Sequence, residues 1–153
     1  MSTIDSRLAE LGIQIPTLAA PAGAYVPYVV TGNLVFTAGQ LPFTGGALPA
    51  TGKVGAEVDA DAAKAYARTA ALNALAAVQA AIGSLDRVTR VVKLVGFVAS
   101  DPSFSGQPGV INGASEVLGE IFGELGKHAR SAVGVAVLPL DSPVEVELIV
   151  EFA

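Results

Sequence analysis

Few side chains in this sequence can take part in chemistry, and Arg130 is the most distinctive of them. It stands at the entrance of an apolar run, Ser131–Leu138, that predicts a β-strand. A guanidinium offers five fixed donors, which suit a planar carboxylate or phosphate. After a proline-containing turn, Glu145 and Glu147 lie on the predicted strand Val144–Phe152, which we expect to be the neighbour of the Arg130 strand. We take this arginine and the neighbouring glutamates as a candidate site.

These residues also have plainer interpretations. An arginine at a strand entrance is most often solvated or paired with a nearby glutamate. Glu145 and Glu147 are two residues apart, so they share one strand face and could line a solvated edge. The composition favours a functional role, because only 15% of the residues are charged, against about 25% in ordinary domains. Each charge among apolar neighbours therefore needs a reason.

The composition excludes several classes of site. There is no cysteine, which rules out disulfides, thiolate catalysis and zinc–sulfur sites. His128 is the only histidine, so a multi-histidine metal site is impossible, and we expect it to be a surface loop residue without an acidic partner. The net charge is −5 and the nine basic residues are scattered singly, so we expect no nucleic-acid ligand.

The elements that must position these residues begin with a short helix. Ser2 or Thr3 can cap it, Gly12 can end it, and its apolar face carries Ile4, Leu8 and Leu11. Prolines divide the charge-free stretch 11–52 into pieces too short to span a membrane. No signal peptide is visible, so we expect a cytoplasmic protein.

Strands and helices then alternate along the chain. Before the two C-terminal strands, the pattern predicts strands at Tyr25–Thr31, Leu34–Gly39 and Val88–Ala99. It predicts helices from Asp59 to Ile82 and over Val110–Leu125, the second with these residues inward: Val117, Leu118, Ile121, Leu125. This order predicts an α+β fold, a two-layer sandwich with two helices on one face of a mostly antiparallel sheet.

A set of spaced motifs now becomes recognisable, and it covers about residues 19–152. The sequence resembles the Rid family, the reactive intermediate deaminases, also called YjgF-like or L-PSP endoribonuclease-like proteins. The resemblance rests on these residues in this order: Tyr25, Gly32-Asn33, Gly39-Gln40-Leu41-Pro42, the strand KLVGFVAS, Asn112, Ala129-Arg130-Ser131, Leu138-Pro139 and Val144-Glu145-Val146-Glu147.

The resemblance implies a chorismate mutase-like fold for a single domain over 1–153, with 1–18 as an N-terminal extension. It further implies a homotrimer with a cleft between each pair of neighbouring subunits, and no metal or organic cofactor. In that cleft Arg130 would clamp a substrate carboxylate and Glu145 would act on the catalytic water. Tyr25, Asn112 and Ser131 would contact the substrate. Spacing alone, however, favours Asn112 as an ordinary N-terminal cap of the second helix, and Tyr25 could be a core or interface aromatic.

Two positions depart from the family pattern. Ala38 stands where deaminase members carry a serine, and Gly134 stands where they often carry a glutamate. Three functions therefore stay open: hydrolytic deamination of 2-imino acids, binding of small carboxylates without turnover, and endoribonuclease activity. The acidic composition argues against the third.

Overall fold

The computed structural model of the chain describes residues 3–153 and shows three α-helices against a five-stranded sheet. The helices are α1 (Thr3–Leu11), α2 (Ala60–Ile82) and α3 (Gln107–Phe122). The strands are β1 (Tyr28–Thr31), β2 (Leu34–Thr37), β3 (Val88–Ala99), β4 (Ala129–Val135) and β5 (Val144–Phe152). The α+β prediction is confirmed. Ser2, the other predicted cap of α1, lies outside the described residues.

Helix α2 begins and ends where its sequence signals lie. The Asp59 side chain accepts a hydrogen bond from the Ala62 N–H at 2.8 Å, which satisfies one free donor of the first turn. Gly83 ends the helix with φ +86° and donates its N–H to the Gln79 carbonyl at 2.8 Å. The inner face consists largely of alanines, so helix and sheet can approach closely.

The sheet has the strand order β1-β2-β5-β3-β4. Its pairs are antiparallel except β3 and β4, which run parallel and are joined by the α3 crossover. The expectation that Arg130 and Glu145 lie on neighbouring strands is therefore wrong, because β3 lies between β4 and β5. The solvated-edge interpretation of Glu145 and Glu147 is also wrong, because β5 is a central strand.

The two faces of the sheet differ in whether helices pack against them. Helices α2 and α3 pack on the face that carries Val144, Val146, Leu148 and Val150 of β5, all fully buried. We call the other side the open face, since no described helix covers it. Strand register places these residues on it: Val29, Phe36, Lys93, Val95, Phe97, Ser131, Val133, Glu145, Glu147, Ile149.

Several predicted boundaries shift. Strand β1 begins three residues late, and β2 ends at Thr37, after which Gln40 returns to the sheet through a bridge to Val146. Strand β4 is Ala129–Val135 instead of Ser131–Leu138. Helix α3 spans Gln107–Phe122 because Gly123, at φ +59°, breaks it. Leu125 was expected inward, but it lies beyond that break and is 45% exposed.

No helix among residues 3–153 has both the length and the apolar character needed to cross a membrane.

Candidate functional site

Arg130 points toward the helices from the edge strand β4. It is level with the buried Leu94 of β3 and is itself half-buried. Its NH1 group donates to the Ser115 hydroxyl at 3.1 Å and its NH2 group donates to the Pro108 carbonyl at 3.2 Å. Within residues 3–153 there is no ion pair between Arg130 and Glu145 or Glu147. Both acceptors of the guanidinium are neutral, and its positive charge is not paired with either of these glutamates.

His128 continues this chain of hydrogen bonds. Its Nδ1 lies 2.7 Å from the Gly126 carbonyl, which can only accept, so Nδ1 carries the proton. In the neutral ring Nε2 must then accept, and it lies 2.9 Å from the Ser115 hydroxyl. Ser115 therefore donates to His128 and accepts from Arg130. His128 lies in the loop before β4, but it is half-buried and both ring nitrogens are bonded, so its interpretation as a surface residue is wrong.

Asn112 lies within α3, on the same side as these groups. It is four residues after Pro108 and three before Ser115, so helical spacing places it beside the two acceptors of Arg130. The helix is capped by Gly106, so the interpretation of Asn112 as its cap is wrong. We call Asn112, Ser115, His128 and Arg130 the Arg130 cluster.

Glu145 lies in a separate pocket of about 300 Å³, which we call the Glu145 pocket. Burial of the carboxylate and, secondarily, the charge of Glu147 raise the pKa of Glu145 above its ordinary value. The carboxylate packs directly on Gly39, where any Cβ would clash with it. The pocket is lined by Ala19, Ala20, Pro21, Ala22, Tyr25, Pro27, Gly39, Gln40, Leu41, Phe43, Pro139, Leu140 and Glu145.

Tyr25 forms part of that pocket but is not a core residue. It is 53% exposed, and its hydroxyl accepts a hydrogen bond from the Ala22 N–H at 3.4 Å. The interpretation of Tyr25 as a core aromatic is therefore wrong. Tyr25 and Glu145 line this pocket together.

Arg130 and Glu145 do not converge within one chain. Leu94 pairs with Arg130 on one side and with Leu148 on the other, so the arginine is level with a residue three positions from Glu145. Two strand spacings and three residues separate their backbones by about 14 Å. Their side chains also point to opposite sheet faces, and Ser131 lies with Glu145 on the open face. A small carboxylate cannot contact both groups of one chain.

Side chains of Gln107 and Ser100 lie close to Gly134. A Cβ there would approach the Gln107 amide nitrogen to 2.8 Å and the Ser100 hydroxyl to 3.2 Å. The Gln107 amide is itself bonded to the Ser100 hydroxyl at 3.1 Å and to the Phe104 carbonyl at 2.9 Å. A side chain at position 134 would therefore require the Gln107 amide to move.

Comparison with known proteins agrees with this architecture. Residues 5–152 match the family model described as "YjgF/chorismate_mutase-like, putative endoribonuclease". The chain belongs to this YjgF family. The family match begins at residue 5, so it includes most of the segment that was predicted to be an extension.

Individual YjgF-family relatives span nearly the whole chain. Protein TCP17 of Trypanosoma cruzi is 48% identical over 97% of this chain and 93% of that protein. The crystal structure of Atu1372 from Agrobacterium tumefaciens, of unknown function, is 47% identical with a TM-score of 0.91, covering 98% of this chain and 92% of the other. Escherichia coli TdcF, crystallised with bound serine, is 28% identical with a TM-score of 0.66, covering 89% and 94%.

Proposed function

We propose that the protein binds small 2-imino and 2-oxo acids in clefts between the subunits of a homotrimer and hydrolyses the imines to 2-oxo acids and ammonia. The observation that carries this proposal is the separation of Arg130 from Glu145 on opposite faces of one sheet. A site that uses both groups on one small molecule must take them from two subunits. The bound serine of TdcF, a small molecule with a carboxylate, supports the ligand class.

The open face supports the proposed assembly. Val29, Phe36 and Val133 are 54%, 38% and 42% exposed on it, and Phe97 and Ile149 lie among them. A monomer seldom leaves so much contiguous apolar surface in water. Packing the open faces of several subunits together would bury this apolar surface. The assembly that would complete the site would therefore also remove these apolar side chains from water.

The chemistry assigns different tasks to the two groups. Two of the five N–H donors of Arg130 are used by Ser115 and Pro108, and the remaining donors would grip the substrate carboxylate. Glu145, with its raised pKa, would orient a water molecule and accept its proton as the oxygen attacks the imine carbon. Glu145 would pass this proton to the imine nitrogen, which gives a carbinolamine. It would then carry the hydroxyl proton to the same nitrogen, so that ammonia leaves and the carbonyl of the 2-oxo acid forms. Asn112 and Tyr25 would position the substrate.

Arg130→Ala tests the carboxylate clamp. We expect it to weaken pyruvate binding by about 2–4 kcal/mol, the scale for truncating one partner of a buried charge pair. Arg130→Lys should recover part of the affinity, because lysine cannot reproduce the planar fork. Ser115→Ala should lower affinity by about 1 kcal/mol, because it removes one hydrogen bond that orients Arg130. Titration calorimetry gives the affinities.

The matched control is Arg90→Ala, which removes an exposed arginine from β3 and should leave pyruvate affinity unchanged. Melting temperature and light scattering on the same preparations show whether the variants are folded and which oligomer they form. Unchanged affinity in Arg130→Ala, or a loss of folding and assembly together with binding, would refute the clamp. Binding of pyruvate without ammonia release from freshly generated imines would leave a carboxylate-binding protein in place of an enzyme.

A further inference from the structure

A second and larger pocket adjoins the Glu145 pocket. It has a volume of about 520 Å³, and we call it the side pocket. Its lining consists of Pro16, Thr17, Ala19, Ala20, Ala22, Gln40, Phe43, Gly45, Gly46 and Asn73. Five of these residues also line the Glu145 pocket: Ala19, Ala20, Ala22, Gln40 and Phe43. The two pockets therefore meet along a shared wall.

Two segments of the chain form the walls of the side pocket. One is the stretch that follows α1, whose Ile13 and Ile15 are anchored by packing against the core. The other is the glycine-rich loop after β2, whose tip closes with a hydrogen bond from the Thr44 N–H to the Ala47 carbonyl at 2.9 Å. Asn73 of α2 fixes the base of this loop. The first wall is thus anchored to the core at its start, and the second is bonded to α2 at its base.

The lining has the chemistry of an apolar site. It contains no charged side chain, and most of its members are alanine, glycine, proline or phenylalanine. Its one amide on α2 is already used, because Asn73 Nδ2 donates to the carbonyls of Leu41 at 2.9 Å and Phe43 at 3.1 Å. A polar ligand group would find few hydrogen-bond partners in the side pocket. A hydrocarbon group needs no such partners, and its transfer from water into the pocket is favourable.

We propose that the side pocket receives the apolar side chain of the substrate, so that branched-chain and aromatic 2-imino acids are preferred over small ones. This inference rests on the proposed function, which puts the reacting carbon beside Glu145. A substituent on that carbon would then lie next to the five residues that line both pockets. The Glu145 pocket, at about 300 Å³, has room for a pyruvate-sized molecule, and the additional 520 Å³ of the side pocket would receive a larger substituent.

Binding of 2-oxo acids, the stable hydrolysis products, tests the inference without requiring turnover. We expect 4-methyl-2-oxopentanoate and phenylpyruvate to bind at least about tenfold tighter than pyruvate, because each buried carbon contributes about fourfold. Thr17→Trp should abolish this preference and leave pyruvate affinity unchanged, since Thr17 lines the side pocket and is absent from the Glu145 pocket. Gln14→Trp, an exposed change outside both linings, should alter neither affinity.

The outcomes separate the inference from the proposed function. If no 2-oxo acid binds, the proposed function fails and the inference fails with it. If pyruvate binds as tightly as the larger acids, or if Thr17→Trp weakens all three acids equally, the proposed function stands and the inference is overturned. The inference is also overturned if Thr17→Trp prevents assembly and binding of all three acids is lost with it, because the side pocket would then receive a residue of a neighbouring subunit.

Discussion

The Glu145 carboxylate packs against Gly39, in space that a side chain at position 39 would need. Substitution of Gly39 by alanine, which adds a single methyl group, tests this contact. A Cβ at position 39 would stand 2.9 Å from Cδ and 3.2 Å from Cγ of Glu145, with Oε1 closer still. Gly39 does not have a positive φ, so its backbone accepts alanine. The strain of Gly39→Ala must therefore be relieved by movement of the glutamate carboxylate.

The size of that movement sets the expected loss. Non-bonded heavy atoms separate to about 3.5 Å, so Oε1 must shift by about 1 Å or more from its present position. A displacement of about 1 Å in a group that acts on the reacting centre costs on the order of 10²-fold in rate. We expect Gly39→Ala to lower ammonia release from a 2-imino acid by that factor. Folding should survive, because a flexible side chain can rotate away.

The assay compares the original protein with its variants by initial rate of ammonia release and by melting temperature. Gly119→Ala is the matched control, since its Cβ would meet nothing within 4 Å; it should keep the rate. A double variant of Gly39→Ala with Glu145→Gln should be no slower than Glu145→Gln alone, because both changes act through one carboxylate. A folded Gly39→Ala protein with a rate within about threefold of the original would refute the assigned role of Glu145.

Two further predictions concern stability. Because burial raises the pKa of Glu145 from its ordinary 4.5, the stability given by its protonated form is lost as pH rises through the folded-state pKa. Glu145→Gln should therefore melt higher than the original protein near pH 8 and no higher near pH 4; equal curves at both would contradict this. Gly113→Ala should cost about 3 kcal/mol in urea unfolding, since its Cβ would strike the Lys64 backbone carbonyl. Gly109→Ala, with open space, should cost far less.

Local signals predict individual elements well in this chain. Asp59 and Gly83 bracket α2, and the β-branched run of β3 and the alternation of β5 each coincide with the observed strand. The same signals do not predict which strands pair with each other. The turn between β4 and β5 suggested that they pair, whereas β5 inserts between β2 and β3. Pairing depends on contacts between residues far apart in sequence, and no local pattern encodes those.

The same distinction applies to the candidate site. Residue type and resemblance single out Arg130 and Glu145, and the structure places one in the Arg130 cluster and the other in the Glu145 pocket. Their separation on opposite sheet faces depends on strand register, which the sequence did not reveal. The bond between Ser115 and His128 was not predicted either, because it forms only where α3 crosses β4. Ser115 follows Asn112 by three residues, a helical spacing that could have indicated it.

The central position of β5 determines when the sheet can be completed during synthesis of the chain. Of the five strands, the last to leave the ribosome is the one that joins the two halves of the sheet. Its Leu148 N–H donates to the Thr37 hydroxyl at 3.0 Å across 111 residues of chain. In a nascent chain that ends before Val144, β1 can pair with β2 and β3 can pair with β4. The strand that lies between these two pairs is still missing. The sheet therefore closes after synthesis of β5, and such long-range closure is slow.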